Sequence, residues 1–247
     1  DLRMTTTHRQ PVALIVGAGD HLGSAIARRF AREGFHIAAT RRRGDLAPLV
    51  ESIEAQGGAA TGFHSDARDE DQVKSLFERI EKDIGPIEVC VFNVGGNVRF
   101  PILETTSRVY RKVWEMCAFG GFLVGRESAK VMVERGHGTI LFTGATASLR
   151  GREGFAAFAG GKQALRALAE SMARELGPRG LHIGHIVIDG PIDNDNSRKL
   201  FPQIYAERPA DGILQPDDIA EVYWNLHCQR RSAWTFEIDV RPYFEPW

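Results

Sequence analysis

Short apolar runs alternate along this chain with longer segments in which apolar residues recur every three or four positions. This alternation predicts βαβ crossovers and a mainly parallel sheet. Several runs are apolar at consecutive positions, which is typical of strands covered on both faces. We predict seven strands, namely Val12–Val16, Phe35–Thr40, Ala60–His64, Ile87–Phe92, Gly138–Thr143, Leu181–Ile188 and Thr235–Val240. The pattern therefore indicates the α/β class, with the sheet as a buried middle layer.

The helical segments carry one-sided apolar repeats, and one connection stands apart from them. In the clearest repeat, Asp69 and Gln72 are placed to cap the start of the helix. Its apolar face consists of Val73, Leu76, Phe77, Ile80 and Ile84. In contrast, Asp189 to Gln215 is a long polar connection with several prolines. A loop of this length in a compact domain is usually functional and often forms a lid, so we predict a functional segment.

Composition and charge exclude several classes of protein. The chain is 43% hydrophobic and 26% charged, as in ordinary globular proteins, and its formal charge of −1 attracts neither nucleic acid nor an anionic membrane. Cys90, Cys117 and Cys228 lie far apart, so neither a disulfide framework nor a metal site is expected. No apolar run is long enough to span a bilayer or serve as a signal peptide. We expect a cytoplasmic protein.

The domain organisation follows from length and from the lack of any linker or repeat. Residues 11–247 are expected to form a single nucleotide-binding domain, because 247 residues suffice for one large core. Residues 1–10 are interpreted as a flexible N-terminus. Within it, Asp1 to Arg3 precede Met4 and are interpreted as a cloning remnant that does not belong to the fold.

A glycine-rich turn follows the first predicted strand and leads into an amphipathic helix. Its spacing, GxGxxxG, permits a tight turn and a close approach of the backbone to a pyrophosphate. The N–H groups and the positive dipole end of the helix then hold the negative charge. The predicted phosphate contacts are Gly17, Gly19, Asp20, His21, Leu22 and Gly23. Two interpretations of His21 stay open, a further positive contact when it is protonated or a packing role.

Three arginines follow the second predicted strand, namely Arg41, Arg42 and Arg43. A cofactor with a free ribose 2′-hydroxyl favours an acidic acceptor about 20 residues after the glycine turn, whereas a guanidinium suits a 2′-phosphate. Arg41 and Arg42 are therefore predicted to contact NADP(H), which is favoured over NAD(H). The alternative is a solvated run of charge on a loop.

Further motifs follow in a recognisable order. They are Val16-Gly17-Ala18-Gly19-Asp20-His21-Leu22-Gly23, Ser65-Asp66-Ala67, Phe92-Asn93-Val94-Gly95 and Ile188-Asp189-Gly190-Pro191-Ile192. With them the chain resembles the short-chain dehydrogenase/reductase family from Pro11 to its last strand. The resemblance implies a Rossmann-like, doubly wound, seven-stranded parallel sheet with helices on both faces. It also implies that Asp66 binds the adenine amine. The other implied cofactor contacts are Ala67, Asn93, Val94, Gly95, Gly190 and Ile192.

The catalytic positions implied by the resemblance carry altered side chains. The family's Tyr-x-x-x-Lys aligns with Phe158-Ala159-Gly160-Gly161-Lys162, so the lysine is retained and the phenol is lost. The i,i+4 spacing places both side chains on one helix face, and the resemblance implies that Lys162 holds the nicotinamide ribose. The family's serine falls on Ala145, and its helix asparagine falls on Cys117. Candidates for a replacement proton donor are Thr146, Ser148 and an ordered water.

These observations leave two hypotheses about function. The first is a divergent NADP(H)-dependent short-chain oxidoreductase that acts on a small apolar carbonyl, alcohol or activated alkene. Its pocket is expected at the carboxyl ends of the strands, near Thr143 to Ser148, Phe155 and the loop with Phe201, Ile204 and Tyr205. The second is a non-catalytic NADP(H)-binding sensor or assembly partner, because three of the family's four catalytic side chains are replaced.

Small residues between Ala156 and Ala164 predict that this helix packs closely against another helix or the cofactor. In the family, this helix and the one carrying Cys117 commonly form subunit contacts. The resemblance therefore implies a homodimer or a homotetramer.

Overall fold

A computed structural model describes residues 9–19 and 21–246 of the chain. Its sheet has seven parallel strands in the order β3-β2-β1-β4-β5-β6-β7. The strands are β1 Val12–Val16, β2 His36–Arg41, β3 Ala59–His64, β4 Ile87–Phe92, β5 Gly138–Thr143, β6 Leu181–Ile188 and β7 Glu237–Val240. The predicted α/β class, the seven parallel strands and the doubly wound order are confirmed.

Nine helices flank this sheet within the same part of the chain. They are α1 Leu22–Ala31, α2 Ala47–Glu54, α3 Glu70–Asp83, α4 Ser107–Trp114, α5 Gly120–Arg135, α6 Ala156–Leu176, α7 Asp195–Leu200, α8 Pro202–Glu207 and α9 Pro216–His227. A π-helical turn, Glu115–Phe119, joins α4 to α5, and a 3-10 turn, Thr146–Ser148, follows β5. No helix in this described part is long and apolar enough to cross a membrane.

Strand β1 illustrates why the sheet is a buried middle layer. Ala13 and Ile15 point into a cluster formed with α1, α2 and α9. Val12, Leu14 and Val16 point into a second cluster, formed with α3, α5 and α6. Successive side chains of a strand lie on opposite faces, and because both faces are covered, all five residues are buried.

One predicted boundary is confirmed by the structure and another differs from it, each for an identifiable reason. Helix α3 begins as predicted, because the Asp69 carboxylate accepts hydrogen bonds from the N–H groups of Asp71 and Gln72. Strand β7 begins at Glu237 rather than at Thr235, because the Thr235 N–H donates to the Gln229 side chain at 2.7 Å instead of joining the sheet.

The proposed flexible N-terminus falls largely on residues 1–8, which lie outside the described residues. Arg9 and Gln10 are described, and both are anchored. Arg9 donates to the carbonyl oxygens of Glu81 and Lys82 at 2.8 and 2.6 Å, and Gln10 donates to that of Gly34 at 2.6 Å. The interpretation of the segment as flexible therefore does not extend to these two residues.

The order of the strands positions the site. Strand β1 pairs with β2 on one side and with β4 on the other, so the crossover direction reverses there. In open parallel sheets, a crevice opens at the carboxyl ends of the strands at such a reversal. The glycine turn after β1 and the Asn93 segment after β4 both lie at this edge.

Candidate cofactor and active site

The turn after β1 requires glycine at its first position. Gly17 has φ +87°, and a Cβ there would overlap the carbonyl group of Asn93. The N–H groups of Gly17 and Ala18 both donate to the Thr40 carbonyl oxygen at 2.9 Å, which holds the turn against the end of β2. The chain therefore makes a tight turn immediately beyond β1 and enters α1.

The start of α1 has the properties of a phosphate cradle. Gly23 packs so closely against the Gly17 carbonyl group that a side chain would overlap it, whereas a Cβ on Gly19 would meet nothing within 4 Å. The open space at Gly19 lets an anion approach the backbone, and His21 gives α1 no side-chain cap. These features fit a pyrophosphate group. Asp20, a predicted contact, lies outside the described residues.

Asn93, directly after β4, holds this turn in place through two hydrogen bonds. Its N–H donates to the Val16 carbonyl oxygen at 2.8 Å, and its side-chain amide donates to the Gly17 carbonyl oxygen at 3.1 Å. Gly95 is exposed, and a Cβ there would meet nothing within 4 Å. The segment thus has one residue that supports the turn and one that leaves space beside it.

The predicted adenosine end contains a charged pair and two buried hydroxyl groups. Asp66 pairs with the Arg68 guanidinium at 2.6 Å, and hydrogen bonds from Arg68 hold the pKa of the Asp66 carboxyl below its ordinary value. The hydroxyls of Thr40 and Ser65 have no hydrogen-bond partner among residues 9–19 and 21–246. Buried hydroxyls usually find partners, so both are available to a ligand. Ala67 follows Asp66 and is buried.

The predicted arginine contacts differ in their surroundings. The Arg41 guanidinium folds over its own loop, where it donates to the Arg43 carbonyl oxygen at 2.5 Å. Arg42 is exposed. The hydrogen bonds from Arg68 contribute most to the lowered pKa of Asp66. The charge of Arg68 and then the charge of Arg42 lower it further. Arg42 therefore lies within electrostatic reach of the predicted adenine contact.

Lys162 is a buried ammonium on α6. Its Nζ donates to the carbonyl oxygens of Thr143 at 2.9 Å and Val94 at 3.3 Å, and only 3% of the residue is exposed. Burial lowers the pKa of this ammonium from its ordinary value. Because an ammonium has three N–H donors, one donor remains for a ligand in the adjoining pocket.

The aromatic side chain four residues earlier shares the same helix face. The Phe158 ring centroid lies 5.9 Å from Lys162 Nζ, and the residue lines the pocket. Ala145 lines it as well and presents only a methyl group. The Thr146 hydroxyl donates to the buried Asp189 carboxylate at 2.5 Å, so its one proton is directed away from the pocket centre.

Cys117 lies behind the pocket rather than in it. It belongs to the π-helical turn, is fully buried, and packs against Gly161 so closely that a Cβ on Gly161 would approach the Cys117 Cβ at 2.9 Å. Burial raises the pKa of this thiol, which is therefore held as a neutral small hydrophobe. The predicted close packing around the small residues of α6 is explained here by α4 and the π turn.

These elements enclose a cavity of about 610 Å³ at the carboxyl ends of β4, β5 and β6. Predicted residues that line it are Leu22, Asn93, Val94, Gly95, Ala145, Thr146, Phe158, Lys162, Gly190 and Ile192. Predicted residues that do not line it are Gly17, Gly19, His21, Gly23, Arg41, Arg42, Asp66, Ala67 and Cys117. All but Cys117 of this second set belong to the glycine turn and the predicted adenosine end.

The long connection after β6 forms one wall of the cavity. It contains two short helices, α7 and α8, and a β-bridge between Ile192 and Leu214. Phe201, Ile204 and Tyr205 of this segment line the cavity, as predicted from their position in the chain. Gly190 has φ +153° and packs against Pro242, where a Cβ would lie 2.8 Å from the proline Cδ.

Sequence reasoning missed the charged residues around this cavity. Arg150 and Arg152 line it, and Asp189 lies behind Thr146 with a nearly buried carboxylate. Asp189 belongs to the motif Ile188-Asp189-Gly190-Pro191-Ile192, so the sequence indicated its position near the site. The two arginines follow Thr146 by a few residues, but no spacing rule marks them as pocket residues.

A glycine cradle at the reversal point of a parallel sheet, beside a buried lysine and an enclosed pocket, defines a dinucleotide-binding α/β protein. The family model for short chain dehydrogenases matches residues 11–204. The chain therefore belongs to the short-chain dehydrogenase family of oxidoreductases.

Individual proteins of this family resemble the chain over most of its length. The 2,3-dihydro-2,3-dihydroxybenzoate dehydrogenase of Bacillus subtilis (strain 168) is 31% identical over 207 residues, which are 83% of this chain and 78% of that protein. A crystal structure of a short-chain dehydrogenase from Rhodopseudomonas palustris is 49% identical, with TM-score 0.82, covering 95% of this chain and 100% of that one. A metagenomic short-chain oxidoreductase in complex with NADP is 24% identical, with TM-score 0.79, covering 94% and 97% of the two chains, and shares the fold.

Proposed function

We propose that this chain is an NADP(H)-dependent short-chain oxidoreductase that transfers hydride to or from a small carbonyl, alcohol or activated alkene with an apolar body. The observation that carries the proposal is one cavity bounded by Leu22 at the start of α1, Asn93 and the buried Lys162 ammonium. When bound there, the nicotinamide supplies or accepts the hydride. The chain holds the reactants in place, a contribution that does not require the missing phenol.

Most of the predicted cofactor residues have a role that their surroundings support. Gly17, Gly19 and Gly23 let the backbone approach the pyrophosphate, and Leu22 begins the helix whose N-terminus faces it. The third N–H of Lys162 is assigned to a ribose hydroxyl. Asn93, Val94, Gly95, Gly190 and Ile192 are assigned to the nicotinamide side, and Asp66 and Ala67 to the adenine.

The proton source is the least conventional part of this site. Phe158, Ala145 and Cys117 are not the donors. The first two carry no ionisable proton, and Cys117 lies outside the pocket lining with a pKa that burial raises, which makes its thiol a weaker acid. Thr146 can donate to substrate only after leaving Asp189. We therefore assign proton delivery to a water molecule in the pocket. A positioned general acid typically contributes about 10²- to 10⁴-fold, so turnover is expected to be slow.

Cofactor preference tests the first part of the proposal. Fluorescence titration should give a Kd for NADPH at least about tenfold below that for NADH, because charge-assisted hydrogen bonds to a phosphate are strong. Arg42→Gln should remove most of this preference and leave NADH binding unchanged. Arg43→Gln is the matched control and should retain the preference. Absence of saturable NADPH binding by the wild-type chain would contradict the proposal.

A non-catalytic NADP(H)-binding protein is the alternative, favoured specifically by Phe158. Phe158→Tyr restores a phenol four residues before Lys162 and should raise turnover of a ketone and enone panel at least about tenfold. Phe155→Tyr, which also lines the pocket, should give no such gain. A wild-type chain that binds NADPH and has no turnover, beside an active Phe158→Tyr variant, would favour the alternative.

The remaining assignments concern assembly and location. We infer a homodimer or homotetramer, supported by exposed aromatic residues on α4 and α5, where Tyr110, Trp114 and Phe122 are 45%, 41% and 39% exposed. A cytoplasmic location is supported by the thiols, which are unpaired, including the exposed Cys228. The organisation of 11–247 as one domain is supported by the continuous sheet.

A further inference from the structure

The pocket wall has an excess of positive charge. Its charged lining residues are Arg150, Arg152 and Lys162, and no Asp or Glu of the described chain belongs to the lining. Lys162 is committed to two carbonyl oxygens and, by the proposed function, to the cofactor. The two arginines are therefore the cations left for a substrate.

Asp189 neutralises only part of this charge. Its carboxylate is 4% exposed and accepts from Thr146, while Arg241 lies 3.0 Å away and Arg150 3.5 Å away. Two guanidinium groups thus share one carboxylate, and Arg150 lies farther from it than Arg241 does. The Arg150 side chain is 42% exposed, so a ligand anion can reach it without breaking the Asp189 contacts.

Arg152 is still less committed. Within the described chain its side chain makes no hydrogen bond or ion pair, and the residue lines the same cavity. Two further carboxylates leave the charge of Arg152 unneutralised. Asp193 pairs with Arg198 at 2.5 Å, and Glu153 is exposed and does not line the pocket. Arg152 is exposed at the wall of a half-open pocket, and a guanidinium there whose side chain has no protein partner favours an anionic ligand.

The rest of the wall is apolar. Phe155 and Phe158 from the start of α6 face the same cavity as Phe201 and Ile204 from the segment after β6. We propose that the substrate is a small carbonyl, alcohol or activated alkene that also carries a carboxylate. Its apolar body packs between these side chains, and Arg150 and Arg152 hold the carboxylate. This rests on the proposed function, since it assigns the substrate class of the same pocket.

Ligand-observed fluorine NMR tests the inference on the full chain, with and without NADP⁺. The probes are 4-fluorobenzoate and its neutral match, 4-fluorobenzamide. We expect the carboxylate to bind at least about tenfold more tightly than the amide, equivalent to about 1.4 kcal/mol. Arg152→Gln and Arg150→Gln should each weaken carboxylate binding about fivefold or more and leave amide binding unchanged. Arg174→Gln, an exposed arginine elsewhere on α6, should change neither.

Three results would overturn the inference: equal binding of acid and amide, no effect of either pocket variant, or 4-fluorophenyl phosphate binding tenfold more tightly than the benzoate. Because the Arg152 side chain makes no hydrogen bond or ion pair in the described chain, Arg152→Gln remains informative even when Arg150→Gln is unstable. Carboxylate selectivity without NADPH binding would reject the proposed function and with it the assignment of a substrate, while the carboxylate site itself would stand. NADPH binding without selectivity for the carboxylate would support the proposed function and reject this inference.

Discussion

At the scale of single residues, the site depends on positions where a side chain or a hydroxyl group is missing. Glycine at position 17 leaves room for the Asn93 carbonyl group, and glycine at position 19 leaves open space beside the start of α1. In the same way, phenylalanine at position 158 lacks the hydroxyl that would complete the motif with Lys162. The first two absences create the predicted cofactor cradle, and the third limits the chemistry that follows.

Gly17→Ala should therefore destabilise the chain by at least about 3 kcal/mol and abolish NADPH binding. The expected cost adds a left-handed backbone conformation to an overlap with Asn93. Gly57→Ala is the control, because Gly57 has φ +82° and a Cβ there would meet nothing within 4 Å. It should cost only about 1 kcal/mol. Urea denaturation and NADPH titration measure both effects, and equal losses in the two variants would contradict the explanation.

At the scale of elements, the segment after β6 is held by the end of the chain. Arg208, directly after α8, pairs with Glu245 at 2.6 Å, and both side chains are largely buried. Arg208 also donates to the Gly212 carbonyl oxygen at 2.8 Å. Because α8 forms part of the pocket wall, these contacts connect the C-terminal segment to the substrate side of the cavity.

Glu245→Gln should loosen this wall. Loss of a partly buried ion pair is worth about 1 kcal/mol, so amide hydrogen exchange in α7 and α8 should become about fivefold faster. Glu207→Gln replaces an exposed neighbour that makes no ion pair in the described part of the chain, and its exchange should match the wild type. Unchanged exchange in Glu245→Gln would show that Pro242 and the β-bridge hold the segment without this pair.

At the scale of the whole molecule, buried histidines make the fold sensitive to acid. His227 packs in an aromatic cluster with Phe30, Phe35 and Trp224 and contacts the Thr139 hydroxyl at 2.9 Å. Burial lowers the pKa of His227 to about 4. The unfolded chain takes up this proton near pH 6.5, so the folded state loses stability as the pH falls from about 6.5 to about 4.

This histidine alone should account for about 3 kcal/mol of that loss. His227→Gln removes the titrating group, and the difference between its unfolding free energies at pH 7 and pH 4.5 should be smaller than in the wild type. The lowered pKa values of Asp66 and Glu237 add acid sensitivity that both proteins retain. His137→Gln, at an exposed site, should keep the wild-type pH dependence in urea denaturation. The same slope in His227→Gln would refute the assignment.

The amino-acid sequence alone determined the strands and the clearest helices, but not the short helices α7 and α8. Apolar runs predicted every strand, and the start of α3 was visible because a helix cap and an apolar repeat are local signals. The glycine spacing indicated the turn for the same reason, since a positive φ is a property of one residue. Counting back from Lys162 also predicts that the family's phenol is replaced at position 158, and this assignment stays a prediction.

Only the tertiary structure decided how the site is assembled and charged. The Thr146 proton is directed to Asp189, Cys117 is sealed behind Gly161, and Arg150 and Arg152 enter the pocket wall. Each outcome depends on partners that lie many residues away in the chain. Burial and the sharing of one carboxylate by several cations are properties of the packed molecule, and no local pattern of residues contains them.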